Sequence, residues 1–175
     1  MSEHDQKAGG PLHWLARGLT LVENFCAALA GGALVVAVLL VSANALSRHL
    51  FAAPIEFQLE LTQSYLLVML ITLALPWGFR QGGFIRITLF AGLLGAKLWH
   101  WIYRIGLLMS AAYLLILGYE AFTVFLNAWQ KRHMIMGVID WPVAWSWVWI
   151  PIGCWLLSLR TLLMAVGVGD QPEGH

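Results

Sequence analysis

Charge is scarce in this chain: Asp, Glu, Lys and Arg make up 11% of its 175 residues, against about 25% in an ordinary soluble domain. The net charge of +1 offers neither a basic field for nucleic acid nor an acidic tail. There are only two cysteines, Cys26 and Cys154, far apart in apolar runs, which excludes a disulfide framework, a paired-thiol redox centre and a zinc site. No phosphate-binding loop, H-E-x-x-H or dinucleotide fingerprint occurs. None of the six histidines falls in the middle of an apolar run, which disfavours axial haem ligation within a helical bundle. Nothing here reads as an enzyme, and no cofactor or metal is expected.

What the chain does have is hydrophobic length. Sixty per cent of it is apolar and ten residues are tryptophan. Residues 24–47, 61–79, 105–119 and 141–159 carry no charge. A helix crossing ~30 Å of hydrocarbon needs about 20 predominantly apolar residues. The third run reaches that length by continuing past Glu120 to Gln130. Two-residue alternation is absent, so helices are preferred to a barrel. The reading is an all-α integral membrane protein with four spans near 24–47, 60–79, 104–126 and 142–163. Residues 1–23 then form an N-terminal segment and 164–175 a tail. The first run is also longer than the 7–15 residues of a signal-peptide core, so it is read as a span.

Four spans put both termini and the second loop on one side. Seven cations lie there (Lys7, Arg17, Arg80, Arg86, Lys97, Arg104, Arg160), against Arg48, Lys131 and Arg132 on the other. The positive-inside rule places both termini in the cytoplasm.

Two shorter segments read as interfacial. In Pro11–Asn24, Leu12, Leu15, Leu19 and Val22 share a helical face opposite His13, Arg17, Thr20 and Asn24. In 84–99, Arg86, Lys97 and Arg104 project within ~20° of one another if the helix is continuous, a cationic stripe facing lipid headgroups. An ordinary loop with scattered anchors is the alternative for this second segment.

Few side chains inside the spans invite a functional reading. Glu120 is the one acid well within an apolar run, expected toward the outer leaflet. It is either a coupling-ion site or an acid paired near the interface with Arg48, Lys131 or Arg132. The lack of a second buried acid favours pairing. Arg48 and Glu60 flank the first outer turn, either as a salt bridge tying the hairpin or as two solvated charges. Trp141, Trp145, Trp147 and Trp149 crowd the start of the fourth span, as an aromatic belt or as packing against a partner.

Taken in order, several fragments resemble one family. Asn44, Arg48 and Phe51 end the first helix, and Pro54, Phe57 and Glu60 lead into the second. Arg80-Gln81-Gly82-Gly83-Phe84-Ile85-Arg86-Ile87-Thr88-Leu89 follows it, and Pro151-Ile152-Gly153 with Arg160 marks the fourth. This resembles the small permease subunit (DctQ-like) of tripartite ATP-independent periplasmic (TRAP) transporters over roughly residues 20–165. Phe84 stands where that family commonly has His, and Thr88 where it has Asp. The resemblance implies a multi-pass subunit of the bacterial inner membrane. Its implied partners are a large permease subunit (DctM-like) and a periplasmic substrate-binding protein (DctP-like). It also implies sodium-coupled uptake of an organic acid, carboxylate or sialic-acid type, with sodium and substrate on the large subunit. This chain then serves as a static brace. Two other readings stay open: a membrane anchor of a redox enzyme, and a small self-assembling carrier built on Glu120.

Overall fold

A computed structural model describes residues 11–52, 56–82, 96–132, 134–135 and 141–166. Helix α1 spans Pro11–Phe51. After a turn come α2 (Gln58–Leu61), one π-helical turn (Thr62–Leu66) and α3 (Leu67–Arg80), which together form one helical rod. Helix α4 spans Ala96–Gln130, followed by a two-residue antiparallel pair, β1 (Met134–Ile135) with β2 (Trp141–Pro142), in register Met134 with Pro142. The short α5 (Val143–Trp147) leads into α6 (Trp149–Val166).

Four helical stretches are long and apolar enough to cross a membrane: Trp14–Phe51, Gln58–Arg80, His100–Gln130 and Val143–Val166, with mean hydropathies of 2.5, 1.5, 1.7 and 1.6. The chain is therefore a four-span, helical membrane protein, as its apolar runs indicate. The β1–β2 pair is the one addition to the all-α expectation among the described residues.

The spans run longer than the charge-free runs suggest. Helix α1 continues unbroken through 41 residues, because nothing between Pro11 and Phe51 removes a backbone donor. The segment expected to be a separate interfacial helix, Pro11–Asn24, is the first part of this rod. Its predicted apolar face also divides: Leu19 is buried in the bundle, whereas Leu15 and Val22 are exposed. At the other end of the second span, Gly82 takes a positive φ of 75° and donates its N–H to the Phe79 carbonyl at 3.2 Å. This is a left-handed helix stop that glycine adopts without penalty. Of the expected interfacial segment 84–99, residues 84–95 lie outside the described residues, and 96–99 form the first turn of α4.

The last helix is the centre of the bundle. Within its spanning stretch 56% of the residues are buried by the rest of the chain, against 17–22% in the other three. It packs on α4, α3 and α1. Lipid tails are as apolar as leucine, so helix association in a membrane depends on close packing of small residues and on a few hydrogen bonds. The seams follow this rule. Helix α1 turns Leu19, Glu23, Cys26, Ala30 and Ala33 inward, every third or fourth residue. Helix α4 turns Leu107, Ala111, Gly118, Ala121 and Ala128 inward. Ser158 Oγ donates to the Ala111 carbonyl at 2.9 Å, joining α6 to α4. At Gly118 the indole of Trp155 fills the space that a side chain would take.

Candidate functional site

The most concentrated group of polar side chains in the bundle lies where α1, α3 and α6 meet. Glu23 on α1 is fully buried. Its Oε2 lies 3.4 Å from Arg80 Nη1, at the end of α3. Its Oε1 lies 3.9 Å from Arg160 Nε on α6. Arg80 Nη2 also donates to Asn24 Oδ1. None of the four atoms in the two Glu23 contacts makes a hydrogen bond, so those contacts are ionic only. Two guanidinium groups thus surround one carboxylate and bind three helices through a single side chain.

Sequence reasoning missed this cluster. Arg80 and Arg160 entered it as topogenic cations and as parts of family-like fragments, and Glu23 stood one residue outside the first charge-free run. The available signal was depth: an acid at the start of one span, with cations at the same-side ends of two others.

A second polar group closes the hairpin between the first two spans. Asn44 Nδ2 donates to Gln58 Oε1 at 2.8 Å, and Gln58 Nε2 donates to Thr62 Oγ1 at 3.1 Å. Gln58 is buried. Of the two readings open for Arg48 and Glu60, the salt bridge is not formed. Arg48 is exposed, and Glu60 has a buried Oε2 without a hydrogen-bond partner. The only ion pairs among the described residues are those of Glu23. The physical reason is dielectric: a neutral amide pair gives up far less hydration than two charges at a depth where water is scarce.

The remaining expected residues disperse. Glu120 is exposed on α4 and forms none of the ion pairs considered for it. Its backbone carbonyl accepts from Thr123 Oγ1 at 2.7 Å. Trp141 lies in β2, its side chain outside the described residues. Trp145 is 59% exposed and, with Ala128, Trp129, Arg132 and Met134, lines an open cleft of about 380 Å³. Trp149 packs inward against Cys26, Ala30 and Leu73, so it belongs to the core rather than to a belt. Arg86 lies outside the described residues. Lys97 stands in the first turn of α4 with its side chain outside them, and Arg104 is exposed.

The start of the second span is tied to α5. Tyr65 Oη donates to the Pro142 carbonyl at 2.8 Å, and Ser146 Oγ donates to the Ser64 carbonyl. Tyr65 and Ser64 lie in the π-helical turn, whose wider winding is common at specialised positions. Among the described residues no group of three or more His, Cys, Asp or Glu side chains is placed to hold a metal ion.

The polar side chains that make these contacts are thus spent on holding helices together or on their own helix, as the half-buried Thr72 is on the Val68 carbonyl at 2.7 Å and Thr161 on the Ser158 carbonyl at 2.8 Å. Such a bundle can be rigid. Comparison with curated proteins and with solved structures gives no match. The family model for the DctQ component of tripartite ATP-independent periplasmic transporters matches residues 37–168, from the C-terminal half of α1 to just beyond α6. The chain belongs to the DctQ family of TRAP transporter components.

Proposed function

We propose that this chain is the static scaffold subunit of its transporter. In this reading it braces a DctM-like large membrane subunit while that subunit performs sodium-coupled uptake of an organic acid, of carboxylate or sialic-acid type, delivered by a DctP-like binding protein. The location is the bacterial inner membrane, with both termini cytoplasmic. The observation that carries the proposal is the use of the buried polar groups. Substrate and ion paths in transporters are lined by polar residues or by helices broken at mid-membrane. Here the buried acid is held between Arg80 and Arg160, and α6 runs uninterrupted through the centre.

The exposed apolar surface points the same way. Val35, Val38, Leu39, Leu46 and Leu50 on α1 all stand open, leaving room for lipid and a large partner. The redox-anchor alternative has less support, since His49 and His100 are exposed on α1 and α4 rather than facing each other within the bundle.

The test is a mild-detergent purification of the tagged chain from native membranes, followed by uptake assays after reconstitution. The expected result is a stoichiometric large multi-span subunit, and uptake that requires both chains and the binding protein. Transport by this chain alone would instead support the self-assembling carrier, and a Soret band in the purified protein the redox anchor.

A further inference from the structure

Helix α4 has two faces of opposite character. One carries the buried stripe Leu107, Ala111, Gly118, Ala121 and Ala128 toward the bundle. Roughly 130° around the helix, at 100° per residue, lie Gly106, Tyr113, Glu120 and Asn127, all exposed. These four are spaced by seven residues. Seven-residue spacing keeps side chains facing one neighbouring helix across several turns when the pair crosses at about 20°. A lipid-facing surface has no need of that spacing or of polar groups.

These polar groups have no partner on another helix among the described residues. Among the described residues, the Glu120 carboxylate and the Tyr113 hydroxyl have no ion pair or hydrogen bond. The Asn127 amide donates only to the Thr123 carbonyl of its own helix, at 2.9 Å. Gly106 faces open space, where an added Cβ would meet nothing within 4 Å. The spanning stretch is His100–Gln130, so Glu120 lies only five residues, about 7.5 Å, from its midpoint. With that stretch centred in the bilayer, this is well inside a hydrocarbon half-thickness of about 15 Å. An ionisable group at this depth normally faces protein and is paired.

We propose that Gly106, Tyr113, Glu120 and Asn127 form the seam by which α4 docks on a transmembrane helix of the large subunit, and that this helix presents a lysine or arginine to Glu120. The inference rests on the scaffold reading and adds to it a surface, a register and a charge. Gly106 allows close approach at one end of the seam, and the Tyr113 hydroxyl and Asn127 carboxamide supply hydrogen bonds on either side of the ion pair.

The test uses the whole transporter in native membranes. A photoreactive p-benzoylphenylalanine is placed at Tyr113 or Asn127, and as a control at Leu108 or Leu115, which are also exposed and seven residues apart on another face of α4. Cross-links to the large subunit are expected from the seam at least tenfold more often than from the control. Adducts from the control face alone, adducts to a second copy of this chain, or no protein adduct from the seam while the large subunit still co-purifies would each overturn the proposal. Failure of the large subunit to co-purify with the unaltered chain would remove the scaffold reading itself, and the seam with it.

The charge is tested separately. Glu120→Lys is expected to lower recovery of the large subunit at least tenfold, and Glu120→Gln only a few-fold, with the variant chains at normal membrane levels. Full assembly with Glu120→Lys would overturn the cationic partner. If that variant does not fold, the cross-links still decide the location of the seam.

Discussion

Gly153 on α6 and Pro76 on α3 meet at one atom, the carbonyl oxygen of Thr72. Pro76 lies inside α3 and has no N–H, so the carbonyl four residues earlier has lost its helical donor. Gly153 packs against that same carbonyl, and a Cβ built there would overlap the oxygen and lie 2.8 Å from the carbonyl carbon. The freed carbonyl is thus covered by the backbone of the neighbouring helix at a position without a side chain.

Gly153→Ala is therefore expected to lower stability by about 1–3 kcal/mol, the usual cost of overpacking, although alanine is intrinsically the better helix former by about 1 kcal/mol. Gly118→Ala is expected to lose less. The atoms it meets belong to the Trp155 side chain, which is 39% exposed and has room to turn. Thermal unfolding in detergent ranks the two.

Removing the buried acid should be more damaging. Glu23→Ala leaves two guanidinium groups without their carboxylate, and breaking a buried pair in this way typically costs about 3–5 kcal/mol. Arg160→Met is expected to be severe for the converse reason. The double variant should lose less than the sum of the two, because the interaction can be removed only once. Additive losses would show that Glu23 and Arg160 act independently.

The outer hairpin gives a contrast between neighbouring positions. Gln58→Leu removes the centre of the Asn44–Gln58–Thr62 chain and is expected to cost about 1–2 kcal/mol. Arg48→Ala, at an exposed and unpaired residue, should stay within about 0.5 kcal/mol. Glu60→Gln should be neutral or slightly stabilising, since it discharges a carboxylate oxygen that is buried without a partner. Denaturant titration of the three variants checks the order.

Topology can be tested against a quiet background. Cys26 and Cys154 are both buried, so the unaltered chain should not react with a membrane-impermeant maleimide. Cysteines introduced at Gln81 and Gln130, both exposed, should react from opposite faces of the membrane, Gln130→Cys in intact spheroplasts and Gln81→Cys only after lysis. Labelling of both from the same face would contradict the four-span arrangement.

Much of the frame was legible because it follows from hydrocarbon thickness. Long charge-free runs locate the spans, whatever packs beside them. The ends were less legible, because Glu23, one residue before the first charge-free run, reads as the limit of that span. Glu23 and Arg160 are instead sheltered within the bundle by pairing with each other. Trp149 shows a similar limit: four tryptophans in nine residues suggest anchoring, yet only the helix rotation reveals that this one turns inward. The hairpin tie was illegible for a third reason. Arg48 and Glu60 are the conspicuous groups there, as a pair or as two solvated charges, while the contact is made by two neutral amides that carry no comparable signal. Pro151-Ile152-Gly153 drew notice only as a motif, and its physical cause lies in a proline on another helix.

The order of the helices along the chain has a consequence for biogenesis. The helix at the centre of the bundle follows the other three in the chain and so leaves the ribosome after them. Until it inserts, α4 lacks the surface on which Leu107, Ala111 and Gly118 come to rest, and Glu23 has only one of its two arginines. Nascent chains that stall before α6 would hold Glu23 through Arg80 alone, without the contact that ties it to the last helix. Insertion of α6 is therefore the step that closes the seams of α1, α3 and α4 together.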